Sequence, residues 1–152
     1  MFGWFKRKSA EPVEPRDWAN LQAEIESGMP LFARIRTSLA DHRVQARYGH
    51  EIAVILHILD PDESGMPSSE EELDALDVLE DQFKDHLEQG GAAVLALVVT
   101  TEGTRTLYFY TADPQAAIQA WERELQPTIQ DRRVTFDIQP DPEWGAYRCF
   151  AQ

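Results

Sequence analysis

The spacing of apolar residues from residue 51 onward limits the folds that this chain can adopt. Two almost wholly apolar runs, 51–59 and 92–100, predict strands that are buried on both faces of a sheet. Between them, residues 69–88 carry an apolar stripe at helical spacing, which follows a Ser–Glu capping box and ends before a Gly–Gly pair. This segment therefore predicts a surface helix between two buried strands.

The remaining C-terminal segments predict a hairpin, a second helix and a last strand. Glu102 and Gly103 form a two-residue turn, after which residues 104–111 return as a strand. An Asp–Pro pair opens a helix over residues 113–126, and residues 134–139 alternate between apolar and polar side chains. The order strand, helix, strand, strand, helix, strand is that of the ferredoxin-like split βαβ fold, an antiparallel sheet with two helices on one face. We therefore predict an α+β fold of this topology.

The first third of the chain carries weaker signals. Residues 1–15 contain prolines and no periodicity, which predicts a flexible tail before a single domain over residues 16–152. Apolar residues at helical spacing predict a short helix over residues 17–26, and partial alternation over residues 31–39 predicts a strand at one edge of the sheet. The tail begins with aromatic and cationic side chains, which leaves open a contact with a membrane surface.

Strands that are apolar on both faces need a cover on the side that the two helices leave open. The candidates are the N-terminal segment with Trp18, the C-terminal segment with Trp144, or a second copy of the chain. A homodimer that forms through this sheet face is therefore a further prediction.

The net charge of −13 is concentrated in the middle third of the chain. Residues 51–102 hold 14 acids and one base, so the remainder is neutral overall. This balance counts against a nucleic-acid partner and against an anionic membrane, since both attract Lys and Arg. The acidic block predicts either a solvated helix face or a docking surface for a basic protein.

The sequence shows no segment that would target the chain out of the cytoplasm. No apolar run approaches the length of a membrane span, and the N-terminus lacks the apolar core and cleavage site of a secretory signal. With one cysteine, Cys149, the chain cannot form an internal disulfide. We therefore expect a cytoplasmic protein without an integral membrane segment.

Residue patterns typical of catalysis are missing from the sequence. No phosphate-binding glycine loop, nucleophile elbow or HExxH motif occurs, and the four histidines have no metal-ligand spacing. Residues 60–71 match several positions of a calcium loop, but a predicted strand precedes them and two prolines stiffen the loop. We expect no cofactor and lean against an enzyme, while calcium binding by this loop stays open.

Aromatic side chains on the strand at residues 104–111 allow a second interpretation. Tyr108 and Tyr110 lie on one face of this strand, as do the aromatic residues of RNA-recognition sheets. The acidic charge opposes this function, so we interpret both tyrosines as core or interface residues.

Three landmarks in a fixed order resemble a known family. They are the Gly-Met-Pro loop at residues 65–67 before an acidic helix, the hairpin from Thr100 to Tyr110, and the ending from Asp141 to Tyr147. Together they resemble the bacterial family of unknown function numbered 695, over residues 16–151. Its members are similar to the regulator-B type inhibitor of ribonuclease E, which implies a non-enzymatic regulator that binds a protein. The resemblance implies no catalytic residues.

The sequence is most consistent with a protein-binding or regulatory domain that turns an acidic helix face toward a basic partner. Trp144 and Tyr147 are predicted as aromatic anchors of the partner, although a cover over the open sheet face explains them equally well. The predicted partner-binding carboxylates are Glu70, Glu71, Asp74, Asp77, Asp81 and Asp85.

Two other functions remain possible on the sequence alone. One is a small-molecule-binding or hydrolytic domain with a pocket near Trp144. The other is an immunity-type inhibitor of a basic toxin, which uses the same acidic surface. The sequence identifies neither the partner nor the ligand.

Overall fold

One antiparallel sheet of seven strands organises the part of the chain that the structure describes. The computed structural model describes the backbone of residues 5–13 and all atoms of residues 17–151. The strands are β1 (Phe5–Val13), β2 (Trp18–Ile25), β3 (Pro30–Arg36), β4 (His50–His57), β5 (Ala93–Thr101), β6 (Thr104–Thr111) and β7 (Val134–Pro140). Their order across the sheet is β1-β2-β3-β5-β6-β4-β7, and every neighbouring pair is antiparallel.

Helices pack on both faces of this sheet. The α-helices are α1 (His42–Gln45), α2 (Glu70–Leu87), α3 (Pro114–Ala120) and α4 (Gly145–Phe150). A π-helical turn at Trp121–Leu125 continues α3, and short 3-10 turns lie at Thr37–Ala40, Gln89–Gly91 and Gln126–Thr128. The predicted α+β class is confirmed.

The elements from residue 50 onward lie close to their predicted positions. The long helix covers Glu70–Leu87 where residues 69–88 were predicted, and β6 has the predicted bounds of Thr104–Thr111. The predicted faces of β6 are also confirmed, because Leu107 and Phe109 pack against α2 and α3 while Tyr108 and Tyr110 face the opposite side. The local periodicity and the turn residues therefore suffice to locate these elements.

The helix predicted over residues 17–26 is wrong, because this segment forms strand β2. Its inward side chains alternate: Leu21 and Ala23 are buried on one face and Trp18 is buried on the other. Strand β2 pairs with β3 along its length, so long-range backbone hydrogen bonds replace those of a local helix. The helical spacing of Trp18, Leu21 and Ile25 was coincidental.

The N-terminal strands extend the sheet beyond β5. Strand β3 pairs with β5 and ends at Arg36, three residues before the predicted end, where a 3-10 turn begins. The backbone of β1 pairs with β2 inside the segment predicted as a flexible tail. The aromatic and cationic side chains behind the membrane-contact hypothesis lie outside the described residues.

Two apolar cores lie on opposite faces of the sheet. On one face, α2 and α3 bury Ile52, Val54 and Leu56 of β4 together with residues of β5 and β6. On the other face, α4 and the turn before α1 cover β2, β3, β5 and β6. The C-terminal segment with Trp144 is therefore the cover that the sequence required. The sheet face proposed for a homodimer is occupied by the chain itself, and the homodimer stays a prediction.

Gly65 allows the loop before α2 to touch the β5–β6 hairpin. The hairpin turns through Glu102 and Gly103, both at positive φ (48° and 82°), as its two-residue length requires. Gly103 N donates a hydrogen bond of 2.9 Å to Gly65 O. Gly65 itself has φ 80°, and a Cβ there would lie 2.9 Å from Glu102 Cα, so a side chain would collide with backbone.

We expect Gly65→Ala to destabilise the fold more than Gly28→Ala. Both glycines have positive φ, but a Cβ at Gly28 meets nothing within 4 Å. The control therefore reports backbone strain alone, roughly 1 kcal/mol, whereas the collision at Gly65 adds roughly 1–3 kcal/mol. Urea unfolding of both variants measures the difference, and equal losses would show that the loop moves away without cost.

Candidate functional site

The outer side of α2 carries all six carboxylates that the sequence predicted for a partner. Ser69 caps the helix by accepting a hydrogen bond from Glu72 N, and the buried stripe of Leu76, Leu79, Phe83 and Leu87 fixes which side faces the sheet. Of the six acids, Asp77 alone makes an ion pair with a residue that the structure describes. We call this exposed set the acidic face: Glu70, Glu71, Asp74, Asp77, Asp81 and Asp85.

Two further acids of α2, Glu72 and Glu80, point toward the sheet and are buried. Glu72 was predicted to close the capping box through its own side chain, and this half of the prediction is wrong. Its carboxylate instead accepts from Leu59 N at 2.8 Å and from the guanidinium of Arg132 through both oxygens. Glu72 and Arg132 are 60 residues apart, so no local sequence pattern predicts that they pair.

The Glu72–Arg132 pair connects α2 to the segment before β7. The Arg132 side chain is fully buried, and its second nitrogen lies 2.8 Å from Glu72 Oε1. Although burial raises the pKa of Glu72, the hydrogen bonds from Arg132 and Leu59 hold it below its ordinary value. The hydrogen bonds with Glu72 raise the pKa of Arg132 against the opposing effect of burial. The pair is therefore ionised at neutral pH and fixes the start of α2.

We expect Arg132→Leu to destabilise the protein by about 3 kcal/mol, because it leaves the buried Glu72 carboxylate without its cationic partner. The matched control is Arg133→Leu, since Arg133 is exposed and its substitution should change stability by about 0.5 kcal/mol or less. Denaturant unfolding at neutral pH measures both. Similar losses at the two positions would contradict the structural role of the pair.

A second charge network lies under the middle of α2. Arg105 of β6 is 6 % exposed and reaches Asp77 at 2.8 Å and Glu80 at 3.3 Å through one nitrogen. Arg34 of β3 also donates to Glu80. Two guanidinium groups thus face two carboxylates, and the network is neutral overall. It anchors Asp77 at the margin of the acidic face while the other five acids stay unpaired among the described residues.

The two aromatic residues predicted as partner anchors are buried in the second core. Trp144 is 0 % exposed and Tyr147 is 1 % exposed. Trp144 stacks on Tyr110 at 3.9 Å and donates from Nε1 to Tyr48 O, and the Tyr147 hydroxyl donates to Arg36 O. Both side chains therefore cover the sheet, as the alternative interpretation predicted, and they offer no surface to a partner in this conformation.

A pair of carboxyl groups, Glu51 and Asp141, secures the start of this C-terminal segment. Asp141 accepts from the Tyr110 hydroxyl at 2.9 Å and from Gly145 N at 3.0 Å, and Glu51 accepts from Gln139. Burial raises the pKa of Glu51 to about 7, and the charge of Asp141 and a hydrogen bond with it add to this effect. Below about pH 7, Glu51 is therefore mostly protonated in the folded protein.

We expect the stability of the protein to depend on this proton. Because the pKa of Glu51 is raised in the folded state, its contribution is fully present below its ordinary pKa of 4.5 and is lost as the pH rises through about 7. Glu51→Gln stays neutral, so its free energy of unfolding relative to wild type should increase by roughly 3 kcal/mol across this range.

Urea unfolding of wild type and Glu51→Gln at a series of pH values tests this prediction. Glu63→Gln, at an exposed acid, serves as the control and should follow the wild-type curve. Parallel curves for wild type and Glu51→Gln would show that Glu51 is already ionised in the folded protein.

A cavity of about 520 Å³ lies beside the first half of α2. One wall is the helix side of the sheet at β2, β3 and β5, and the other wall is α2 with the loop before it. A smaller cavity of about 220 Å³ lies between the end of α2 and α3. Trp144 lines neither of them, so the predicted pocket near Trp144 does not coincide with either.

The loop that resembled a calcium site has other roles for its residues. Asp62 Oδ1 accepts from Ser64 and from Met66 N, and these bonds hold the pKa of the exposed Asp62 below its ordinary value. The glycine of the pattern, Gly65, is required by the contact with the hairpin. Within the described ranges, no cluster of three or more His, Cys, Asp or Glu side chains is placed to hold a metal ion.

The aromatic strand face is closed to RNA bases in this conformation. Tyr108 is 8 % exposed and Tyr110 is 0 % exposed, and Trp144 stacks on Tyr110 where a base would lie. Burial raises the pKa of both hydroxyls. The two tyrosines are core residues, as we interpreted them.

The fold and the site together define an α+β domain with a strongly acidic helix. A family model described as a family of unknown function, DUF695, matches residues 16–151. The chain therefore belongs to the DUF695 family, which confirms the resemblance seen in the landmarks. Comparison with curated proteins and with solved structures found no match. Among the described helices, none has both the length and the apolar character that crossing a membrane requires.

Proposed function

We propose that this protein is a non-enzymatic binding domain that uses the acidic face of α2 to recognise a basic partner protein. The observation that carries the proposal is the isolation of these charges. Five of the six acids make no ion pair within the described part of the chain, and all six are exposed on one rigid helix. Unpaired like charges on one surface attract an oppositely charged partner and raise its association rate.

The pairing of the two buried acids of α2 also favours a partner-binding role for the acidic face. Glu72 and Glu80 are neutralised inside the fold by arginines, whereas the five outer acids other than Asp77 make no described ion pair that would hold α2 in place. A regulatory role of the kind that the regulator-B inhibitor of ribonuclease E performs is part of this proposal. The strand order β5-β6-β4-β7, with α2 and α3 on one face, supports a ferredoxin-like topology for the C-terminal unit.

An immunity-type inhibitor of a basic toxin would use the same surface and is the second candidate. The acidic face supports both candidates equally, so the identity of the partner distinguishes them. A small-molecule or hydrolytic site beside Trp144 has less support, because that side chain lines neither described cavity.

The experiment is affinity purification of the full-length protein from its native cell, with quantitative mass spectrometry at low and high salt. In the test variant, Glu70, Asp74, Asp81 and Asp85 are changed to Gln or Asn. The recovery of specific partners should fall by about tenfold or more, because the steering charge is removed. High salt should weaken the wild-type interaction in the same direction.

A matched variant controls for the change in net charge. It neutralises four exposed acids away from α2, namely Glu63, Glu122, Asp137 and Glu143. We expect this variant to recover the same partners as wild type. If partners are lost equally from both variants, or from neither, the acidic face of α2 is not the recognition surface.

A further inference from the structure

We propose that the cavity between α2 and the N-terminal extension of the sheet docks an amphipathic basic segment of the partner, which inserts an apolar side chain between Phe32 and Leu73. The inference rests on the proposed function, since the acidic face supplies the attraction. It places the apolar part of recognition in this cavity, and it gives the segment a defined position along α2.

The topology creates the cavity. Helices α2 and α3 cover the unit formed by β4 to β7, but the sheet continues past β5 into β3 and β2. On the helix side, this extension and the loop before α2 form two facing walls. The sheet wall contributes Asn20, Gln22, Phe32, Arg34 and Thr100, and the helix wall contributes Met66, Pro67 and Leu73.

Exposed apolar side chains face each other across the cavity. Phe32 is 39 % exposed and Leu73 is 42 % exposed, although large apolar side chains of this kind are usually buried in a core. A volume of about 520 Å³ lies within the usual range of ligand sites, about 300–1,000 Å³. Apolar surface gathered in a concave site, bordered by polar groups, is typical of a docking groove.

The charges around Leu73 specify the occupant. Glu70 lies about one helical turn before Leu73 and Asp81 about two turns after it, so acids that make no ion pair with a described residue flank the apolar wall. The cations at the floor, Arg34 and Arg105, are already neutralised by Glu80 and Asp77. The complement of an apolar wall flanked by unneutralised acids is an apolar side chain flanked by Lys or Arg.

Arg105 supplies a second, independent observation. Its side chain is more than nine-tenths buried and lines the cavity, yet its Nε has no hydrogen-bond partner among the described residues. A buried N–H without an acceptor is costly and uncommon in folded proteins. Because this Nε has almost no accessible surface, the guanidinium must shift on docking before a backbone carbonyl of the segment can accept from it.

The test uses fluorescently labelled model peptides and the full-length protein, with binding followed by fluorescence anisotropy at low salt. One peptide is amphipathic with Lys and Leu, a second has every Leu replaced by Ser, and a third has every Lys replaced by Glu. We expect the Lys–Leu peptide to bind about tenfold more tightly than the Lys–Ser peptide, since burying one Leu side chain suffices for that ratio. Amide NMR shifts should centre on β3 and the first half of α2.

Substitutions locate the binding energy. The double variant Phe32→Ser/Leu73→Ser should bind the Lys–Leu peptide no better than the Lys–Ser peptide, with its affinity for the latter unchanged. The matched control is Val78→Ser, which removes an exposed apolar residue of the same helix that does not line the cavity. This control should keep the tenfold preference.

The possible failures are distinguishable. Equal binding of the Lys–Leu and Lys–Ser peptides, with both lost from the acid-neutralised variant, overturns the cavity as anchor and leaves the acidic face standing. A preference for the Glu–Leu peptide would make the cavity an anion site at Arg34 and Arg105. Self-association of wild type that Leu73→Ser abolishes would make a second copy the occupant. Unchanged binding by the acid-neutralised variant contradicts the proposed function itself.

Discussion

The attachment of α2 to the sheet determines where every other charge of this protein can act. Its apolar stripe buries against β4, β5 and β6, and two carboxylates on the same side, Glu72 and Glu80, reach arginines of other elements. These contacts fix the rotation of the helix about its own axis. The remaining acids are thereby held outward in one row, and Leu73 is held over the sheet extension.

The arginines explain why this row stays uncompensated. Arg34 and Arg105 pair with acids under α2, Arg132 is fully buried against Glu72, and Arg36 pairs with Asp17 and Glu88. These four arginines therefore pair mainly with carboxylates that lie under α2 or close to its ends. Lys84 is the one Lys or Arg within α2, and five of the six acids of the acidic face make no ion pair with a described residue.

Local sequence signals predicted α2 and the β5–β6 hairpin well, whereas the N-terminal strands depend on backbone pairing between distant segments. The cap at Ser69 and the Glu–Gly turn act within a few residues, so α2 and the β5–β6 hairpin lie where the sequence placed them. Strand β2 has helical spacing and is held extended by its neighbour β3. The six predicted acids lie on one side of α2 because of helix periodicity. Phe32 and Leu73, which the sequence did not predict as a site, line the same cavity only because of the strand order of the sheet, and no local sequence pattern encodes that order.

The two faces of the sheet handle buried acids in different ways. Under α2, a guanidinium neutralises Glu72 and holds its pKa down, so the pair stays ionised through the neutral range. Beside α4, Glu51 has no arginine partner among the described residues, and burial together with the charge of Asp141 raises its pKa to about 7. We therefore expect a change of pH around neutrality to alter the stability contributed by Glu51 more than that contributed by the Glu72–Arg132 pair.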